Sequence, residues 1–115
     1  MKSDTASDRV GQLFELLSER LDTSAAKGIN KTLQWNITDA EPGIWAFEIS
    51  GGSGRLITGG VDSPDTTFTT SAETWVGVAE GRQDAMKAFM TGKLRVEGDM
   101  MLALKVPKLF ETLDA

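Results

Sequence analysis

The chain contains no histidine, no cysteine and no tyrosine. A Ser-His-Asp triad cannot be built, and neither can a thiolate nucleophile or a Cys/His metal site. A histidine general base is excluded in the same way. Carboxylates, lysines, arginines and hydroxyls are the only reactive groups left. Gly51-Gly52-Ser53-Gly54-Arg55 has the small residues of a phosphate loop. It lacks the Gly that a dinucleotide fingerprint needs three residues after Gly54, where Ile57 stands. It also lacks a Gly-Lys-Ser/Thr step, and Arg55 occupies the Gly position of a nucleophile elbow around Ser53. The segment reads as a turn between strands. Asp62 and Asp65 flank Ser63-Pro64. No further oxygen donors follow at a cation-binding spacing, so this pair also reads as turn chemistry. Catalysis has no visible home, and no cofactor is expected.

The residues that stand out are apolar. Met86, Met90, Met100 and Met101 cluster late in the chain. Methionine is flexible and polarizable, which suits adaptable apolar surfaces. From Met100 to Leu113 the sequence is more apolar than a surface helix needs, with Leu102, Leu104, Val106, Leu109 and Phe110 among its members. An adaptable cover of that kind over a sheet is what a lipid pocket would use.

The elements that position these residues follow from periodicity. Val10, Leu13, Phe14, Leu17 and Leu21 recur at three and four residues, which predicts an amphipathic helix with Ser7 or Asp8 as its cap. From Thr32 the period becomes two, with Leu33, Trp35 and Ile37 on one side. Asp39 to Gly43 is a turn, and Trp45, Phe47 and Ile49 alternate after it. Arg55 to Val61 and Asp65 to Thr70 read as further strands of an antiparallel meander. Thr70 and Glu73 form a capping box for a helix carrying Trp75, Val76, Val78 and Ala79, which Gly81 closes. Asp84 caps a second short helix that ends at Gly92. Lys93 to Gly98 is one more strand. Asp99 opens a last helical region, which Pro107 should break or kink near Val106. The order is α+β: a mostly antiparallel sheet with helices packed on one face.

Three blocks resemble the sterol carrier protein type 2 family. They are Thr67 to Trp75, the stretch Ala-Phe-Met-Thr-Gly-Lys-Leu-Arg-Val-Glu-Gly-Asp at 88 to 99, and Met100 to Lys105. Trp45-x-Phe47-x-Ile49 and Gly59-Gly60-Val61 fit as well. The resemblance covers nearly the whole chain and implies one domain over 1–115. It also implies a five-stranded sheet covered by helices, enclosing an apolar tunnel. The function implied is non-enzymatic binding or transfer of a fatty acid, fatty acyl-CoA, sterol or similar lipid. Protein interaction or lipid presentation through the apolar C-terminal helix is the alternative. Gly92, Lys93, Gly98 and Asp99 are expected to encode fold rather than ligand contact. The lining is expected from Phe14, Leu17, Trp35, Phe68, Trp75, Phe89, Met100, Met101, Leu104 and Phe110. Lys105, Lys108 or Arg82 would face a lipid head group.

Length and charge bound the rest. At 115 residues, 40% apolar and 25% charged, the chain has the composition of one globular domain. Its net charge of −5 argues against nucleic acid and against anionic lipid surfaces. No apolar run is long enough to span a membrane, so stable insertion is not expected. The N-terminus lacks a secretory pattern and the C-terminus lacks a peroxisomal signal. A cytoplasmic, stand-alone, prokaryotic-type member is therefore expected. It would be a monomer or weak dimer, with an enzyme of lipid metabolism as a possible partner.

Overall fold

Alternation along five short segments builds the sheet, because side chains on a strand point to opposite faces in turn. The computed structural model describes residues 6–110. Its strands are β1 (Lys31–Ile37), β2 (Ile44–Ser50), β3 (Ser53–Thr58), β4 (Thr66–Thr70) and β5 (Leu94–Gly98). They lie in the order β3-β2-β1-β4-β5. The register sets Trp45, Trp35, Phe68 and Val96 in one row across four strands. Among the described residues, α1, α2, α3 and α5 send buried side chains into the core with it. Gln34, Asn36, Glu48, Arg55, Thr67, Thr69, Arg95 and Glu97 occupy the alternate positions on the other face.

The expected meander stops at β3. β4 leaves it and pairs parallel to β1, while the other three pairings are antiparallel. Two-residue alternation is the same in both kinds of pairing, so periodicity could not distinguish them. The crossing depends on a close backbone approach. Val61 donates its N–H to Gln34 Oε1 at 2.9 Å. A Cβ on Gly60, whose φ is +83°, would meet that same oxygen at 2.6 Å. Asp65 then fixes the start of β4, because its carboxylate accepts from Thr32 N–H at 2.8 Å and its own N–H donates to the Thr32 carbonyl.

The helices are α1 (Ala6–Ser18), α2 (Thr23–Ala26), α3 (Ala72–Ala79), α4 (Ala85–Met90) and α5 (Met100–Leu109). α1 has already begun at Ala6, so Ser7 and Asp8 lie inside its first turn and do not cap it. Leu21 falls beyond α1 and forms an isolated antiparallel bridge with Phe110. Asp22, whose carboxylate accepts from Ser24 and Ala25 N–H, nucleates the unexpected α2. The α3 cap is Ser71, one residue after the expected Thr70. Thr70 is committed elsewhere: its buried hydroxyl donates to the Lys93 carbonyl at 2.8 Å. Asp84 and Asp99 cap α4 and α5 as the sequence predicts. Pro107 does not break α5 near Val106, and the helix runs on to Leu109. A proline removes one donor, and so near a C-terminus it sacrifices a single bond. Phe110 N–H still reaches the Val106 carbonyl at 3.2 Å. Leu113 lies outside the described residues.

The core is aromatic at one end of the sheet. The Phe14 ring, on α1, lies 4.0 Å from Trp75, 5.1 Å from Trp45 and 5.5 Å from Trp35. Trp35 stacks on Phe68 at 5.3 Å. An ion pair between Arg9 and Glu80 ties α1 to α3. At the other end Phe110 meets Phe47 edge-on at 5.1 Å.

Candidate functional site

β5 is an edge strand, and a protein must cover or blunt such an edge. Two threonines of β4 hold it at both ends. Thr66, fully buried, donates its hydroxyl to the Asp99 carbonyl at 2.7 Å. Thr70 does the same to Lys93. Between them Leu94 and Val96 face the helix side and are only half buried. α4 leads into this strand and α5 leaves it, and both pack against it. Even so, Leu94 and Val96 stay incompletely covered.

α5 is a loose cover. Leu102 and Leu109 are its only fully buried residues, with Ala103 and Val106 half buried. By contrast, α3 buries six of its eight residues. The outward side of α5 exposes Met100, Met101 and Leu104, the last two at 67% and 57% of their full surface. α4 likewise exposes Met86, Phe89 and Met90.

The residues expected to line a ligand space divide into two groups. Phe14, Trp35, Phe68 and Trp75 are buried and fill the interior with one another's rings, while Phe110 is buried against Phe47. Leu17 is half buried against the same cluster. Phe89, Met100, Met101 and Leu104 lie outside, on the surface. The structure does not gather both groups around one space. Arg82 pairs with Glu80 at 2.8 Å.

One cavity sits beneath the first turn of α5. It measures about 190 Å³ and is lined in part by Ile29, Lys31, Asp99, Met101, Leu102 and Lys105. That is below the roughly 300 Å³ at which small-molecule pockets begin. Sequence reasoning had not placed Ile29, Lys31 or Leu102 here. Leu102 was legible as apolar, but nothing in the pattern set it inward and Met101 outward. Lys31 Nζ lies 2.5 Å from Asp99 Oδ2. The hydrogen bond and the charge of Asp99 raise the Lys31 pKa above its ordinary value. The bond from Lys31, followed by the Leu102 N–H, lowers that of Asp99. A second opening, about 480 Å³, is lined by Ser71, Glu73, Thr74, Gln83 and Lys93, all of them polar residues. Among the described residues no group of His, Cys, Asp or Glu is placed to hold a metal ion.

A half-open α+β sheet with an apolar, loosely held helix over its edge defines a class of small lipid-handling domain. The comparisons supply the family. Residues 10–111 match the SCP-2 sterol transfer family, and the chain belongs to it. It is thereby a lipid-binding or lipid-transfer domain. It is 38% identical over 68 residues to peroxisomal multifunctional enzyme A of Dictyostelium discoideum, a match covering 58% of this chain and 15% of that protein. Among solved structures it is similar to the sterol carrier protein domain 2 of Helicoverpa armigera. That likeness has a TM-score of 0.67 and 27% identity, and covers 88% of this chain and 81% of the other. It is also similar to the sec-alkylsulfatase Pisa1 of a Pseudomonas species, with a TM-score of 0.72 and 28% identity, over 89% of this chain and 16% of the enzyme. The chain spans only 15% to 27% of the length of the curated relatives it matches. In those enzymes the likeness covers one part of the protein, and this chain corresponds to that part alone.

Proposed function

We propose that the chain holds a single-chain lipid, such as a fatty acid or its thioester, between α5 and the β4–β5 side of the sheet. The carrying observation is the loose α5, with only two fully buried residues, lying over a half-open apolar edge. The interior is packed with aromatic rings, so a ligand must displace part of this cover. The N-terminal end of α5 is held by its own cap, by Lys31 and by Thr66. The C-terminal end is held by Phe110 against Phe47 and by the Asp22 N–H on the Leu109 carbonyl at 2.7 Å. The C-terminal end, whose hold includes no ion pair among the described residues, is the one proposed to open for uptake.

Magnitudes support this. Ten methylenes at about 0.8 kcal/mol each give roughly 8 kcal/mol gross. Exposing part of α5 and ordering the chain offset some of that, so micromolar affinity is expected. The lining is assigned to Phe68, Leu94, Val96, Leu102, Ala103 and Val106, with the tryptophans behind them. No chemical step is assigned to the chain. The size of its relatives favours a role in presenting lipid to an enzyme.

The test is a titration of palmitate, palmitoyl-CoA and cholesterol into delipidated protein. Tryptophan emission and calorimetry would be read together. A saturable signal for the acyl ligands is the expected result. No heat and no change in emission with any of the three would overturn the proposal.

A further inference from the structure

The two edges of the sheet differ. β5 is blunted, since Arg95 and Glu97 stand exposed on it and α4 and α5 pack against it. β3 has no such protection. Its register with β2 runs unbroken from Ser53 to Thr58, so no bulge turns the edge away, and it holds no proline. Arg55 is its one charged residue, and Glu48 Oε1 of the same chain meets that charge at 2.9 Å. Among the described residues no strand lies on the outer side of β3.

The hairpin decides which backbone groups face outward. Gly59 donates its N–H to the Ile44 carbonyl at 2.8 Å. Bonded pairs recur at every second residue of an antiparallel ladder, so Ile57 bonds Ala46, Arg55 bonds Glu48 and Ser53 bonds Ser50. Gly54, Leu56 and Thr58 are left with both backbone groups pointing away from the sheet. The three are symmetric about Leu56. A second copy, rotated by a half-turn about an axis through Leu56, offers the same groups in reverse order. Gly54 then faces Thr58 on either side of the axis, and Leu56 faces its own mate.

We propose that β3 pairs antiparallel with β3 of a second copy, joining two domains into one ten-stranded sheet, five strands from each. The occupant is a second copy because an edge with no net charge and a symmetric row of donors and acceptors complements itself. Leu56, half-buried in one copy, gains an apolar neighbour on the helix side. Ile57, also half-buried, meets the stem of Arg55 on the other side. Paired residues share a face, so both helical layers lie on one side of the long sheet. The two β5 edges stand at its far ends, so pairing does not depend on lipid holding. A pair of six-residue strands makes a small interface, and two copies of charge −5 repel. A dissociation constant of roughly 10–100 µM is expected, tighter at higher salt.

The experiment is sedimentation velocity from about 10 µM to about 1 mM, with amide exchange followed by NMR at both limits. A concentration-dependent dimer is expected. The Gly54, Leu56 and Thr58 amides should exchange several-fold more slowly at the upper limit. The Arg55 and Ile57 amides, bonded to β2, should be protected throughout. T58P removes an N–H that one copy alone leaves unbonded, so it should keep the fold and weaken the dimer at least about tenfold. L56K sets like charges against each other on the axis and should do the same. Thermal melts confirm that both variants fold. A monomer at every concentration would overturn the proposal. So would a dimer that either variant leaves intact, which would move the contact to another face. Protection of the three outward amides at every dilution would also overturn it, since the chain's own remaining residues would then cover the edge.

Discussion

Lys31 Nζ lies 2.5 Å from Asp99 Oδ2, joining the first residue of β1 to the cap of α5. The lowered Asp99 pKa means that the folded state holds the carboxylate ionised more strongly than the unfolded chain does. Its contribution is present above the unfolded value, near pH 4, and is lost as pH falls through the lower folded value. The raised Lys31 pKa works at the other limit. That contribution is complete below the unfolded value and disappears as pH rises through the folded one. D99N keeps a cap acceptor and loses the charge. Its thermal midpoint should fall less than the wild type's between pH 6 and pH 3. Identical acid limbs for the two proteins would refute the linkage.

Gly98 and Gly92 make a contrast within the block 88–99. Both have positive φ, at +97° and +82°. A Cβ on Gly98 would stand 2.3 Å from the Asp65 carbonyl oxygen, whereas one on Gly92 meets nothing within 4 Å. G92A should cost about 1 kcal/mol, the strain of a left-handed residue alone. G98A must also push β4 away, so at least about 3 kcal/mol is expected. Urea midpoints would decide, and equal losses would mean that the Asp65 contact is relieved cheaply.

Legibility of the sequence followed the reach of each signal. The local signals located four of the strands closely, the caps at Asp84 and Asp99, and the positive-φ turns at Gly81 and Gly92, while β3 runs Ser53–Thr58 where Arg55 to Val61 was expected. The parallel β1–β4 pairing was not legible, because alternation carries no information on strand order. Thr70 looked like a cap because the competing acceptor, the Lys93 carbonyl, lies 23 residues away in sequence. The candidate site was legible in composition and not in placement. α5 is apolar around much of its circumference, so only packing decides that Leu102 and Leu109 go in while Met101 and Leu104 stay out. Phe14, Trp35, Phe68, Trp75 and Phe110 were legible as interior, but not as packed solid against other rings, and Phe89 was misplaced.

The tryptophans report on where a ligand sits. Trp35 stacks on Phe68, beside the β5 edge, while Trp45 lies one strand further from it. W35F should lose most of the emission change on palmitate binding, and W45F should retain it. The chain has three tryptophans and no tyrosine, so the signal is clean. The reverse pattern would place the lipid on the β2–β3 side.

Motion of α5 has its own test, because the chain contains no cysteine to interfere. Leu21 and Phe110 are bridged antiparallel partners. Such partners have Cα atoms about 4.5–5.5 Å apart, within the range a disulfide accepts. L21C/F110C would tether the end of α5 that is proposed to move. Losing the Phe110 ring costs about 3–5 kcal/mol. A crosslink closing so long a loop returns roughly 4 kcal/mol, so the oxidised protein should stay folded. Stopped-flow uptake of palmitate should be at least tenfold slower when oxidised, and reduction should restore it in the same sample. Reduction is the internal control, since both forms carry the same substitutions. Equal rates in the two forms would mean that the lipid passes elsewhere and that α5 stays closed.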